Sequence, residues 1–330
     1  MSVALLGLIL GTIGFVELGL SRPKPAAKAI PTSQTTSTSL ATPTPAINAT
    51  PTPQPTTAAL ATPTPASTRT PSGYDHIVLI VLENHSFESV IGSSQAPYMN
   101  SLATEWGLAT GYSAVSNPSL PNYLAMIGGN TFGVSSDCTD CFVNAPSLPD
   151  RLEASGRTWK AYMEGMPSPC FVGSYDLYAQ KHNPFIYFDP IRTDPARCSA
   201  IVPYGQLAAD FAVPSRAPNF AFVAPDLCND GHDCSLSTTD AWLAREVPAL
   251  LSSPGFGGSR SLLVITYDEG DGGSDRVATI LAGSGVKHGF LSAGTYDHYS
   301  LLRTVESLWG LAPLAAGDGG ASPMSDFFDS

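Results

Sequence analysis

Three stretches of the chain are apolar without alternation: residues 76–82 read HIVLIVL, 219–223 read NFAFV and 261–267 read SLLVITY. A strand with one wet face alternates apolar and polar positions. An unbroken, β-branched run marks a strand buried on both faces of a parallel sheet. Two further strands are predicted over 158–163 and 278–282. Apolar positions at helical spacing predict helices over 97–106, 120–127, 148–155, 205–211, 238–251 and 299–309. Strands alternating with helices imply an α/β sandwich around a mostly parallel sheet. Residues 131–197, rich in Pro, Gly, Ser and Cys, predict long loops capping that sheet.

The first part of the chain follows neither pattern. Residues 3–20 are apolar apart from Glu17, and Arg22, Lys24 and Lys28 follow them. This reads as a signal peptide or uncleaved signal anchor over 1–20. Residues 21–72 are built from Pro, Thr, Ala and Ser, with Ala-Thr-Pro-Thr-Pro repeated at 41–45 and 61–65. Such a composition buries no core and reads as an exported stalk. The expected organisation is therefore 1–20 targeting segment, 21–72 linker and 73–330 folded domain. The expected location is secreted, or on the extracellular face of the membrane or cell wall, with a membrane tether through the N-terminal segment.

Charge narrows the function. The net charge is -12, and only 13% of the 330 residues are charged, so there is no basic stripe to bind a nucleic-acid backbone. No nucleic-acid partner is expected, and a monomer is. Six cysteines sit at 138, 141, 170, 198, 228 and 234. In an exported chain the simplest pairing is 138 with 141, 228 with 234, and the remaining 170 with 198. The CxxC at 138–141 leaves a zinc site open as the alternative, although no second CxxC accompanies it.

In open α/β sheets, ligands gather beyond the carboxyl ends of the strands. Glu83-Asn84-His85 follows the first buried run. Asp226, then Asn229-Asp230-Gly231-His232-Asp233, follows the second, and Asp268-Glu269-Gly270 the third. One acidic strand end is an ordinary turn or cap. Three that converge make a site for a hard cation. Ser119, in Pro118-Ser119-Leu120-Pro121-Asn122-Tyr123, admits two readings. It is a helix N-cap, or it is a nucleophile activated by a neighbouring metal. No GxSxG elbow is present, which weighs against an α/β-hydrolase esterase. Lys181-His182 offers adjacent donors for phosphate oxygens, and His232 lies in a cysteine-bounded loop. His76 and His288 read as structural and surface histidines.

These motifs, in this order, resemble the bacterial phosphoesterase family of acid phosphatases and phospholipases C, within the alkaline phosphatase superfamily. The motifs are Glu83-Asn84-His85-Ser86-Phe87, Pro118 to Tyr123, Asn229 to Cys234, and Tyr267-Asp268-Glu269-Gly270. The resemblance covers residues 74–328. It implies a three-layer α/β/α sandwich with a mostly parallel central sheet and a metal-activated serine. By similarity, Glu83, Asn84, Ser119, Asp268 and Glu269 would hold the metal, with Ser119 and His232 catalytic. Asn122, Lys181 and His182 would bind the substrate. The family often carries two histidines where Lys181-His182 stands. Asp226, Asp230 and His298 are candidates for a second metal.

The resemblance implies hydrolysis of a small phosphorylated substrate through a phosphoseryl intermediate, as an acid phosphatase-like phosphomonoesterase. A phospholipase C or phosphodiesterase acting on lipid head groups is the alternative. A non-catalytic, Ca-binding surface protein is the alternative of another class. A sulfatase is disfavoured, because Tyr123 stands where its signature needs Arg. Oxygen ligands favour Ca, Mg or Mn, and the histidines admit Zn or Fe.

Overall fold

The computed structural model describes residues 73–329. The targeting segment and linker expected over 1–72 lie outside the described residues. Among the described residues, no helix is long and apolar enough to cross a membrane.

Eight strands form one sheet: β1 His76–Leu82, β2 Gly107–Ser113, β3 Trp159–Met163, β4 Ile201–Pro203, β5 Phe220–Ala224, β6 Ser261–Tyr267, β7 Thr279–Gly283 and β8 Phe290–Asp297. Their order is β4-β3-β5-β1-β6-β7-β2-β8. Every pairing is parallel except those of β7, which runs antiparallel to β6 and β2. The three unbroken apolar runs are the three central strands, and every residue of β1, β5 and β6 is buried. The predicted helices all form, with ends shifted by a residue or two.

Three strands escape the hydrophobic pattern. β4 is only three residues long. β2 and β8 carry glycines, and contact explains two of them: a Cβ on Gly111 would lie 2.6 Å from the Gly294 carbonyl oxygen, and one on Gly107 2.6 Å from the Phe327 ring. Glycine is required there because another chain segment presses against the backbone.

The helices fall into two groups that pack among themselves. Ser119–Gly128 packs with His298–Trp309, and Pro97–Glu105 with Leu236–Leu251. With the sheet between them they make the α/β/α sandwich. Side chains alternate between faces along a strand, and this alternation aims the site. Tyr267 reaches Met99 Sδ, in the helix Pro97–Glu105, at 3.8 Å. Asp268 follows it and faces the other layer, towards Ser119.

All three expected disulfides form, so the zinc reading of the CxxC falls. They lie in the loops beyond the strand tips and in the 131–197 cap.

Candidate active site

The register of the central strands brings the acidic ends together. Leu82 of β1 is level with Tyr267 of β6, so Glu83 and Asp268 leave the sheet side by side. The ladder runs on past the strands: Asp268 N–H donates to Leu82 O at 2.8 Å, and Glu83 N–H to Asp230 O at 2.9 Å. That second bond ties the Cys228–Cys234 loop to the tip of β1. Asn84 turns the chain away with φ +58°, a left-handed conformation that asparagine tolerates. Its N–H donates to Asp268 Oδ1 at 3.3 Å, and the Glu269 N–H donates to the same oxygen at 2.6 Å.

Ser119 is the first residue of its helix, and Pro118 holds the cap position. Its hydroxyl caps nothing. It donates to Glu83 Oε2 at 2.9 Å, and one helical turn later the Tyr123 hydroxyl donates to Glu83 Oε1 at 2.5 Å. The N-cap reading of Ser119 is thereby overturned, and both Glu83 oxygens are gripped from a single helix face.

His182 lies between two carboxylates, with Nε2 3.1 Å from Glu83 Oε1 and Nδ1 3.0 Å from Asp230 Oδ2. It stacks on Tyr123. It is therefore built into the acidic cluster and does not reach outward to a substrate as expected. Lys181 does reach outward: Nζ is 2.9 Å from Asp137 Oδ2 and 3.0 Å from His232 Nε2. The opposite ring nitrogen of His232, Nδ1, lies 2.7 Å from Asp233 Oδ1. With Lys181 donating to Nε2, that geometry puts the ring proton on Nδ1. Ser119 is 1% exposed, whereas the side chains of Asp137, Lys181 and His232 keep 27, 20 and 29%. These three form the outer row of the site.

The electrostatics are those of a crowded, buried anion cluster. Burial, then the charges of Asp268 and Asp230, hold Glu83 well above the ordinary carboxylate range. Burial raises Asp230 to about 8. It raises Asp268 only to about 6, because the two backbone N–H donors oppose it. Burial and the neighbouring Asp268 raise Glu269 to about 8. Burial, then Lys181 and His232, hold His182 well below the ordinary histidine value. Lys181 is lowered by burial, but Asp137 and the surrounding carboxylates outweigh that and hold it above its ordinary value.

These residues fit a divalent cation. Asp268 Oδ2 is buried with no hydrogen-bond partner, and the short contacts of Asp230 Oδ2 and His182 Nε2 lack hydrogen-bond geometry, so fixed positive charge would satisfy all three. Glu83, His182 and His232 each offer a ligand atom, all within 4.8 Å of one another.

Other expected residues take different places. Asn122 is fully buried and holds the loop before Ser119. Its Oδ1 accepts from the N–H groups of Val115 and Ser116 at 3.1 and 3.0 Å, and its Nδ2 donates to Ser116 O at 2.9 Å. It ties down the loop before Ser119, and its Nδ2 also reaches Glu269 Oε2 at 3.5 Å, at the edge of the acidic cluster. The second-metal set does not assemble. Asp226 Oδ1 accepts from the N–H groups of Cys228 and Asn229, which makes it a turn residue. His298 has both ring nitrogens engaged, Nε2 with Asp268 O at 2.6 Å and Nδ1 with the Tyr112 hydroxyl at 3.0 Å. Burial lowers it to about 4. It braces Asp268 from behind. Asp230 alone of the three joins the main cluster. His76 bonds Pro218 O and His288 lies on Trp106, both away from the site, as expected.

Asp137 was not singled out by the sequence, and Tyr123 and Asp233 entered only as members of longer motifs. Tyr123 had a usable signal, since it stands at i+4 from Ser119 on a helix. Nothing local distinguishes Asp137 or Asp233 from solvated loop acids.

Comparison with known proteins shows the family. A model of the Phosphoesterase family matches residues 92–312. The chain is 35% identical over 260 residues to a phosphatidylinositol-3-phosphatase of Mycobacterium tuberculosis, covering 77% of this chain and 83% of that protein. It is 33% identical over 264 residues to a phosphate-repressible acid phosphatase of Penicillium chrysogenum, covering 76% of this chain and 62% of that longer one. A protein in the alkaline phosphatase superfamily from Vibrio parahaemolyticus superposes with a TM-score of 0.53 at 13% identity, covering 75% of this chain and 69% of that one. That likeness speaks for the fold alone.

Proposed function

The chain belongs to the Phosphoesterase family and is a hydrolase of phosphoric ester bonds; from that premise we propose that it is a secreted, metal-dependent phosphomonoesterase with Ser119 as its nucleophile. The observation that carries this reading is Ser119 Oγ donating at 2.9 Å to a buried Glu83, beside Asp268 with an unpartnered oxygen. Monoesters are preferred over diesters because the named relatives are phosphatases. The three disulfides favour an oxidising compartment.

Glu83, Asn84, Ser119, Asp268 and Glu269 would hold the divalent cation, with His182 and Asp230 close enough to contribute. The bound cation would supply charge neutralisation and lower the pKa of the hydroxyl. The Ser119 proton already points at Glu83 Oε2, and that carboxylate accepts it as Oγ bonds to phosphorus. The ester P–O bond breaks in line, and the departing oxygen takes its proton from solvent water. Lys181 and the N–H of Leu120, at the start of the helix, face the phosphoryl oxygens. Water then attacks the phosphoserine and loses a proton to His232. Ser119 Oγ leaves phosphorus and recovers its proton from Glu83. Asp233 keeps His232 in the tautomer this exchange needs.

The test is Ser119→Ala, assayed on an aryl phosphate with added divalent ions. Turnover is expected to fall at least about 10³-fold, and chelation of the wild type to abolish it. A Ser119→Ala protein with near-normal turnover overturns the nucleophile. A wild type inactive with every divalent ion favours the non-catalytic, cation-binding alternative.

A further inference from the structure

Two donors that the phosphate reading assigns to the substrate are held by a carboxylate of the chain itself. Asp137 Oδ1 accepts from the Leu120 N–H at 3.0 Å, the first amide after the nucleophile. Asp137 Oδ2 accepts from Lys181 Nζ at 2.9 Å. Asp137 belongs to neither the helix nor the Lys181 segment. It sits just before the Cys138–Cys141 disulfide, in a loop that the Gln180 Nε2 bond to Thr139 O and the Tyr187 hydroxyl bond to Cys138 O fasten to the same cap that carries Lys181. A carboxylate presents two anionic oxygens to these donors much as a phosphoryl group would. Asp137 also stands in the partly exposed outer row, between solvent and the buried Ser119.

We propose that Asp137 is a resident anion that occupies the phosphate's place and must be displaced by it, so that it sets how tightly the monoester and the released phosphate are held. The proposal rests on the reading of Ser119 as nucleophile and of Lys181 and Leu120 N–H as phosphate donors. In the free enzyme Asp137 neutralises Lys181 and satisfies the helix start. On binding, its side chain swings towards solvent and a phosphoryl oxygen takes each donor. The cost is the fraction of molecules in which Asp137 holds the donors: if that is nine in ten, apparent affinity is about tenfold below the intrinsic value. Repulsion grows with ligand charge, so a dianionic monoester or inorganic phosphate suffers more than a singly charged diester. The rival role, a buttress that merely keeps Lys181 in place, predicts the opposite sign.

The test is Asp137→Asn in the metal-loaded enzyme. KM for an aryl phosphate and Ki for inorganic phosphate should both fall, by about tenfold if the occupancy above holds. The effect on kcat should be smaller, and so should the effect on KM for an aryl phosphodiester. Asp137→Ser removes the same charge and serves if the amide disturbs the loop. An unchanged or raised Ki overturns the proposal and leaves Asp137 as a buttress. Calorimetric binding of inorganic phosphate to Ser119→Ala, with and without Asp137→Asn, needs no turnover. It reports displacement even if Ser119 proves not to be the nucleophile, and so separates failure of one reading from failure of the other.

Discussion

Asp210, in the helix Gln206–Phe211, accepts from Lys160 Nζ at 2.7 Å and from the Tyr162 hydroxyl at 2.9 Å. Asp240 accepts from the N–H groups of Tyr98 and Met99 at 3.0 and 2.8 Å, and so closes the first turn of another helix. Past the tips of β1, β5 and β6 the pattern reverses. Three carboxylates, Glu83, Asp230 and Asp268, are buried together; Asp268 Oδ2 has no partner, and Asp230 Oδ2 meets His182 Nδ1 without hydrogen-bond geometry. At Asp210 and Asp240 the chain buries an acid where N–H, O–H or ammonium groups meet it. At the tips it buries more negative charge with fewer donors. Burial alone therefore does not separate a structural acid from a functional one. The supply of donors does, and a shortfall concentrated in one place marks where a cation fits.

Glu83→Gln tests that difference most severely. Losing the carboxylate that joins Ser119, Tyr123 and His182 should lower turnover by about 10³-fold or more. The same change relieves the repulsion with Asp230 and Asp268, so the chelated variant should unfold at a higher temperature than the chelated wild type. If Glu83→Gln both kept activity and lowered stability, Glu83 would be an ordinary structural acid. Asp210→Ala should do the reverse. Stranding the Tyr162 hydroxyl and Lys160 should cost about 2 kcal/mol in denaturant unfolding, with turnover unchanged.

The comparison also marks what the sequence could convey. The central strands were legible because burial on both faces writes itself as an unbroken apolar run, and the acids at their ends followed from where parallel strands point. β2 was not, since its Gly107 and Gly111 answer to contacts with Phe327 and Gly294 that no local pattern encodes. Glu83, Ser119 and Asp268 were legible as a set. The separate duties of His182 and His298 were not. Both are buried histidines, and only their partners, two carboxylates for one and a carbonyl and a phenol for the other, tell a member of the cluster from a brace behind it.

His298→Gln sharpens the comparison from the donor side. His298 satisfies the Asp268 carbonyl without touching the place where substrate would sit. Its loss should loosen Asp268 and weaken cation affinity by about 10- to 100-fold, read by titrating activity against the divalent ion. Saturating cation should restore most of kcat. A purely structural role would lower stability and leave the cation titration where it was.

Glu306 is the exception on the structural side, and the effect expected there depends on pH. It is buried, its Oε1 has no partner, and Arg303 reaches Oε2 only at 3.3 Å. Burial, then the neighbouring Asp318, raises it to about 8. Asp318 accepts from the N–H groups of Leu314 and Ala315. The folded protein therefore holds a proton on Glu306 that the unfolded chain has already released, between the ordinary glutamate value of 4.5 and about 8. Stability should fall as pH rises through that window, by at most about 1.4 kcal/mol per pH unit from this one group. Glu306→Gln carries the neutral form permanently, so its advantage over the wild type should grow from pH 5 to pH 8. Equal pH slopes for the two proteins in urea unfolding would mean that Glu306 is ionised in the fold, and that a short supply of donors does not by itself keep a buried acid protonated.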